Sequence, residues 1–575
     1  MIGASHVARP FRPRPASIGR GSGARVDLRF PPPPPVLFLL AATMWLLLLP
    51  GCLKQGTVVQ QGNREQILHR NLGYEITGLD PHLVTGIAET AVLDALFEGL
   101  VSEDPVDLHP VPGVAERWDI SPDGLTYTFF LRADARWSNG EPVTAADFVA
   151  SYRRILTPSL GADYASLFYA LRGAEAFHKG LTHDFASVGV AAPDARTLRL
   201  TLDHPTAYFL TLLTQIAWRP VPIATIEKYG SPYERGTDWT RPGRLVGNGP
   251  FTLKTWRPNQ VIVVEKSPTY WDAATVRLQA IHFHPIDSVD TEERSFRAGQ
   301  LHITDSLPIG KIDSYRHDAP QFLRIDPYLG TYYYLLNTTR PPLNDVRIRR
   351  ALSLAVDREA IVNKILHGGQ QPAFSFTPPG TAGYQPPSRF AAPASMTAAL
   401  EAARQLLKDA GFEGGKGLPP IELLYPNSEN HRLLAEAVQE MWRRELGIDV
   451  RLANQELKVT FASRRTGAFQ ILRASWIGDY LDPSTFLDVF RSDSGNNFSG
   501  WSSPAYDAAL FAAARTPDPA ARNALFQQAE SLLLDAAPII PIYFYTHVFL
   551  IQPSVKGWHP TLLDHHPYKY VWLEP

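Results

Sequence analysis

The stretch from Thr397 to Leu452, TAALEAARQLLKDAGFEGGKGLPPIELLYPNSENHRLLAEAVQEMWRRELGIDVRL, alternates two hydrophobic periods. From Thr397 to Ala410 the apolar residues return at helical spacing, and Gly411 closes the helix. Ile421 to Tyr425 reads as a strand. Ser428 opens a second helix that runs to Leu446, buries Leu434, Val438, Met441 and Trp442, and stops at Gly447 before the strand Ile448 to Leu452. Such alternation marks mixed α/β lobes rather than a helical bundle or a sandwich. It recurs upstream. Leu125 to Arg132 (LTYTFFLR) sets Leu125, Tyr127, Phe129 and Leu131 on one face and Thr126 and Thr128 on the other, as a half-buried strand does. Thr144 then begins a helix in which Asp147 answers the free amides of the first turn and Phe148, Tyr152 and Ile155 follow at helical spacing. That helix is expected to pack on the Leu125 strand. No solenoid or propeller period is present.

The 575 residues exceed what one core needs, so two or three lobes are expected. With 45% hydrophobic and 19% charged residues the chain reads as globular, and 50 prolines with 40 glycines predict many turns and extended connections. A net charge of -2 supplies no global pull toward nucleic acid. Cys52 is the only cysteine, which excludes an internal disulfide, a CxxC pair and a thiolate zinc cluster. No G-x-S-x-G elbow, H-E-x-x-H, P-loop or G-x-G-x-x-G after a strand occurs; Gly19, Gly21 and Gly23 lie in the leader. The chain therefore reads as a binder rather than an enzyme, with no cofactor. His565-His566 is read as a surface or core pair, because adjacent side chains diverge and no third ligand is near in sequence. No metal site is expected.

Residues 1–35 carry Arg9, Arg12, Arg14, Arg20, Arg25 and Arg29 against Asp27, and end in Pro31 to Pro35. They are not expected to fold. Val36 to Leu49 (VLFLLAATMWLLLL) is uncharged, and Pro50, Gly51 and Cys52 follow, in the order of an export signal. The apolar run is shorter than the roughly 20 residues of a permanent span. Leu49-Pro50-Gly51-Cys52 resembles a bacterial lipobox, which implies acylation of Cys52 and anchorage to a membrane, although Pro50 departs from the pattern. An uncleaved anchor, or an ordinary signal with a coincidental cysteine, is the other reading. The long leader is consistent with a true start further downstream. Residues 52–66, polar from Leu53 to Gln66, read as a flexible tether.

Six segments carry a wider resemblance: Leu79-Asp80-Pro81-His82; Leu96-Phe97-Glu98-Gly99-Leu100; Trp137 to Phe148 (WSNGEPVTAADF); Ser267-Pro268-Thr269-Tyr270-Trp271; Tyr332 to Asn337 (YYYLLN) with Asn344-Asp345-Val346-Arg347; and Arg473 to Pro483 (RASWIGDYLDP). From about His69 to Leu573 the chain resembles the periplasmic oligopeptide-binding family, most of all its oligopeptide and murein-peptide branch. The resemblance implies an α/β, periplasmic-binding-protein-like two-lobed clamp of type II with an additional inserted domain. Lobe I would hold 67–87, 222–329 and 547–575, the insertion 88–221 and lobe II 330–546. The hinge would lie near Pro327 to Gly330 and Tyr545 to Phe549.

The resemblance also assigns roles. Asp479 receives the ammonium of a short peptide, and Glu75 and Tyr164 contact its backbone. Arg464, Arg473 and His431 answer its carboxylate, and Trp476 flanks a side-chain pocket. Taken alone, Asp479 beside a glycine reads as a turn residue, the two arginines as surface charges, and Tyr164 and Trp476 equally well as core. His431 falls in the first turn of a helix, where the free amides favour an anion. Leu335 and Leu366 stand where relatives have an acid and a lysine, and Leu457 replaces a pocket tryptophan. Gly330 and Ile477 replace two cysteines that are paired in some relatives. The expected partners are short peptides and an ABC permease with its ATPase subunits, served by a monomer. A peptide-sensing surface protein and a non-peptide binder on the same fold are the alternatives.

Overall fold

Three sheets organise this computed structural model, which describes residues 56–575 apart from 207, 391 and 517. The leader, the lipobox and Cys52 lie outside the described residues. The stretch that opened the sequence reading forms a strand–helix–strand unit. Met396–Asp409 is a helix capped by Ser395, and Ile421–Pro426 is a strand. Glu429–Leu446 is a helix capped by Ser428 and ended by Gly447 at φ 68, and Val450–Gln455 pairs in parallel with the first strand. These two strands form one edge of a six-stranded sheet that continues through Ile471–Ile477, Leu323–Leu336, Ile539–Leu550 and Gln371–Pro372. Both faces are covered. Tyr332, Tyr334 and Leu336 meet Val438 and Trp442 on one side, while Tyr333, Leu335 and Leu472 meet Phe486, Phe490 and Phe526 on the other. A strand buried on both faces reads as a continuous apolar run, which explains YYYLL.

A second sheet orders Ile67–Asn71, Ala280–His284, Val261–Lys266 and Phe251–Arg257, and a third orders Ala115–Ile120, Thr126–Leu131, Thr197–Thr201 and Val190–Asp194. Both contribute to one continuous core. Tyr127, Phe129 and Leu131 point inward as their alternation requires. Thr144 and Asp147 form the capping box: the Thr144 amide donates to Asp147 Oδ2 at 2.7 Å ahead of the helix Ala145–Leu156. That helix lies over Thr197–Thr201 and Val190–Asp194 rather than over the Thr126 strand. The third sheet places Thr197–Thr201 beside Thr126–Leu131, so Phe148 and Tyr152 enter the same core from one strand further on. The expected tether is also corrected. Val58–Glu65 is a helix, opened by a reciprocal box between Thr57 and Gln60 and docked through buried Val59, whose amide donates to the Gly299 carbonyl at 2.9 Å.

Buried polar contacts anchor several of the family-like segments. Arg154, wholly buried, places Nη2 2.6 Å from Asp80 Oδ2, and Trp239 Nε1 donates to the same oxygen at 3.3 Å. Glu98 accepts from Tyr270 Oη and Trp271 Nε1, each at 2.6 Å, which ties the segment around Phe97 to the one around Tyr270. Asp482 takes Arg522 Nη1 at 2.6 Å and Ser484 Oγ at 2.7 Å. Leu323–Leu336 and Ile539–Leu550 pair antiparallel along their lengths, with a register shift between Pro327 and Thr331. Removing one partner of a buried pair leaves the other charge uncompensated. Asp80→Ala should therefore cost about 3–5 kcal/mol in urea unfolding; a loss below about 1 kcal/mol would mean that His82 and the Pro232 carbonyl, the other partners of Arg154, suffice.

Candidate functional site

Ile471–Ile477 and Ile421–Pro426 run parallel, and the polar residues gather beyond their carboxyl ends, where open α/β sheets commonly hold ligands. Gly478 and Asp479 follow the first strand; Ser428 to His431 follow the second. The Asp479 amide donates to Thr485 Oγ1 at 2.7 Å, and its Oδ1 accepts from Tyr164 Oη at 3.1 Å, a contact that spans 315 positions of chain. Asp479 keeps some accessible surface yet sits deep among protein atoms. Burial pushes its carboxyl up to about 7, against the smaller opposing influence of Tyr164, His565 and Thr485. Tyr164 itself is pushed up by burial and by Asp479, with Arg464 near enough to oppose.

The basic residues form the other pole. Arg464, at the end of the helix Leu457–Arg465, lies over the rings of Phe461 at 5.0 Å and Phe498 at 4.6 Å. Arg473 lies over Tyr332 at 4.6 Å and donates to Tyr545 Oη at 2.7 Å. His431 sits 5.8 Å from the Tyr332 ring, and its amide is capped by Ser428 Oγ. Burial, reinforced by Arg473, holds His431 well below the usual imidazole range, so it is neutral at pH 7 and acts as a hydrogen-bonding group rather than a cation. Arg464 Nε, Arg473 Nε, His431 Nδ1 and Trp476 Nε1 are all buried without a hydrogen-bond partner among the described residues. Buried polar atoms left unpaired are costly, and here four belong to residues singled out from the sequence.

Glu75 is held by partners of its own. Its oxygens accept from Trp256 Nε1 at 2.9 Å and from the Asn259 amide at 2.7 Å. Tyr332 and Tyr545, which flank Arg473, belong in the sequence to a resemblance segment and to the expected hinge, and nothing in their spacing marks them as site residues. Leu335 and Leu366 are each 3% exposed and belong to the cores. Gly330 and Ile477 face each other in the ladder, and a Cβ on Gly330 would come within 2.3 Å of Ile477 Cδ1. The isoleucine fills the space that a larger residue at 330 would need. Of the pair read as surface or core, His566 is buried and held by Asp564 at 2.8 Å, whereas His565 is partly exposed and held by Glu103 at 3.0 Å.

Contacts cross between the third-sheet region and the six-stranded sheet. Besides Tyr164 with Asp479, Arg465 pairs with Asp163 at 3.2 Å, Lys179 with Asp493 at 3.0 Å and Arg515 with Asp203 at 2.8 Å. Tyr208 stacks on Tyr480 at 5.5 Å, and Leu108 enters the core formed by Tyr333 and Phe490. Two bodies joined by a pair of continuous strands and meeting around a polar site define a solute-binding clamp. Residues 109–498 match the profile described as bacterial extracellular solute-binding proteins, family 5 Middle, and the chain belongs to that family. It is 41% identical over 499 residues to the periplasmic oligopeptide-binding protein OppA of Escherichia coli, covering 86% of this chain and 90% of that protein. The structure of the Escherichia coli murein tripeptide binding protein MppA superimposes with a TM-score of 0.83 at 39% identity, covering 88% of this chain and 98% of that one. Haemophilus influenzae OppA in complex with RPPGFSPFR gives 0.84 at 34% identity, covering 89% and 99%. The unliganded open form of MppA gives only 0.62, with 88% and 97% covered, so this structure has the closed arrangement of the clamp.

A carboxyl raised on folding favours the folded state below its ordinary range, and that contribution is lost as pH rises through the raised value. Burial of Asp479 should thus weaken the ligand-free protein between about pH 4 and about pH 7. Asp479→Asn is expected to raise the melting temperature at pH 8 and leave it nearly unchanged at pH 4. Equal shifts at both pH values would sink this account.

Proposed function

We propose that the chain captures short peptides outside the cytoplasmic membrane and hands them to an ABC importer. The observation that carries this reading is the bipolar site, in which Asp479 is buried without a basic side chain bonded to it while Arg464 and Arg473 are buried without a carboxylate. A peptide in extended form carries an ammonium at one end and a carboxylate at the other, and so complements both poles whatever its side chains. Asp479 receives the ammonium, with Tyr164 bridging from the opposite body. Arg464 and Arg473 take the carboxylate at different depths, and neutral His431 orders it directly or through water. Trp476 lines a side-chain pocket. Glu75, oriented by Trp256 and Asn259, contacts the ligand backbone with the acceptor capacity its oxygens retain.

The lobes divide as 67–87, 222–329 and 547–575 against 330–546, with 88–221 inserted. The register shift between Pro327 and Thr331 supports this division, because there Leu323–Leu336 leaves its direct pairing with Ile539–Leu550 and the two strands can bend. Export and acylation at Cys52 keep the receptor near its permease. That part of the reading rests on the leader sequence alone.

The test is native mass spectrometry of residues 53–575, followed by calorimetric titration with di- to penta-peptides. Co-purifying peptides, and binding lost on N-acetylation of the ligand or in Asp479→Ala by about 100-fold, are expected. A protein that ignores every free-amine peptide would overturn the proposal and direct attention to non-peptide ligands. Because the ammonium requires the carboxylate, affinity should climb by up to about tenfold per pH unit below about pH 7 and level off above it. The rim pairs are partly exposed and so contribute little, roughly 0–0.5 kcal/mol each. A variant combining Lys179→Ala, Arg465→Ala and Arg515→Ala should lose about tenfold in affinity or less, and 0.5 M salt should mimic it in part; a loss as large as that of Asp479→Ala would mean that the rim, not the poles, holds the clamp shut.

A further inference from the structure

The second sheet turns a histidine cluster to its outer face. Leu68, Ile281 and Phe283 face the core, so His69 on one strand and His282 and His284 on its neighbour face the other way. The parallel register places His69 beside His282, and His284 lies two residues further on the same face. His69 Nδ1 is 3.2 Å from His284 Nε2. The His69 and His282 rings are 4.6 Å apart and edge to face. His302 stacks on His69 at 5.8 Å, but both its nitrogens are engaged: Nδ1 accepts from the His69 amide at 3.0 Å, and Nε2 meets Asn63 Oδ1 at 3.1 Å. It is therefore a support for the cluster rather than a member of it. All three outer histidines retain accessible surface.

We propose that His69 and His284, joined by His282, bind a borderline transition-metal cation such as Zn2+ on the outer face of this sheet. A tetrahedral zinc with bonds to nitrogen of about 2.0–2.1 Å holds its ligand atoms about 3.3 Å apart. The His69–His284 nitrogens already stand at nearly that separation. His282, its ring 4.6 Å from that of His69, does not bring a nitrogen to the pair in this arrangement and would join as a third ligand only by a turn of its ring, with water taking the other positions. Imidazole nitrogen suits zinc, copper and nickel, whereas calcium and magnesium prefer a shell of oxygen ligands. Zinc takes imidazole in its neutral form, which predominates above the ordinary histidine value of about 6.5. Each neutral ring keeps one N–H. When the metal enters, the proton shared between the facing nitrogens moves to the outer nitrogen of its own ring, and both lone pairs are donated without net proton release. The His302–Asn63 contact fixes the support from the helix Val58–Glu65.

The site is independent of the peptide poles. The test uses the untagged full-length protein in mild detergent, stripped with a chelator and titrated with Zn2+ against a chromophoric indicator. One equivalent with a Kd of about 1 μM or tighter is expected. His69→Ala and His284→Ala should each weaken it by about tenfold or more, His282→Ala by less, and the exposed His317→Ala not at all. Peptide titrations should be unchanged in all four variants. Cu2+ added to the wild-type protein should show two or three nitrogen ligands by electron paramagnetic resonance, a readout that needs no substitution. No saturable equivalent, a site that survives His69→Ala with His284→Ala, or copper bound by a single nitrogen would overturn the proposal and leave the cluster as a hydrogen-bonded histidine pair.

Discussion

Asp479 lies inside the protein with a tyrosine, a threonine and a neighbouring histidine around it, and its carboxyl is pushed up to about 7 as a result. Across the same site, two guanidiniums lie over aromatic rings without a carboxylate. Keeping unlike charges buried and apart is unfavourable for the folded chain, since each loses hydration that its opposite would partly replace. A protein that maintains this separation must hold both poles rigidly. The large cores and the many buried polar contacts serve that requirement, for Arg473 lies on, and Asp479 just beyond, one strand of a sheet covered on both faces.

The two long strands, Leu323–Leu336 and Ile539–Leu550, give the clamp its other constraint. They are rigid where they pair and broken in register between Pro327 and Thr331. Contacts across the cleft are of two kinds. The rim pairs are partly exposed and weak, whereas Tyr208 on Tyr480 and Leu108 in the opposite core remove apolar surface from water. A clamp closed mainly by contacts of modest strength can reopen, which a receptor that must release its ligand requires.

Several segments that carry the family resemblance have structural rather than ligand-binding roles. Asp80 neutralises Arg154, Glu98 joins two segments through Tyr270 and Trp271, and Asp482 holds Arg522. Buried polar groups tolerate few substitutes because an unmatched partner costs more than the bond contributes. A segment shared with relatives is thus no guide by itself to what touches the ligand.

The amino-acid sequence by itself determined the local elements. The strand–helix–strand unit from Met396 to Gln455, the Thr144 capping box and the inward alternation of Tyr127, Phe129 and Leu131 follow from hydrophobic period and capping chemistry, which act over a few residues. Residue types at short range also placed His431 in a helical first turn. Other features needed the tertiary structure. Val58–Glu65 looked like a tether because its composition is polar, yet docking of Val59 makes it a helix. The Ala145–Leu156 helix lies one strand away from its expected partner, because sheet order is decided by the whole core. Tyr164 meets Asp479 across 315 positions, and His431 is neutral because burial beside Arg473 disfavours its charge. Those outcomes depend on desolvation and on contacts between distant segments, and neither is encoded in the spacing of residues along the chain.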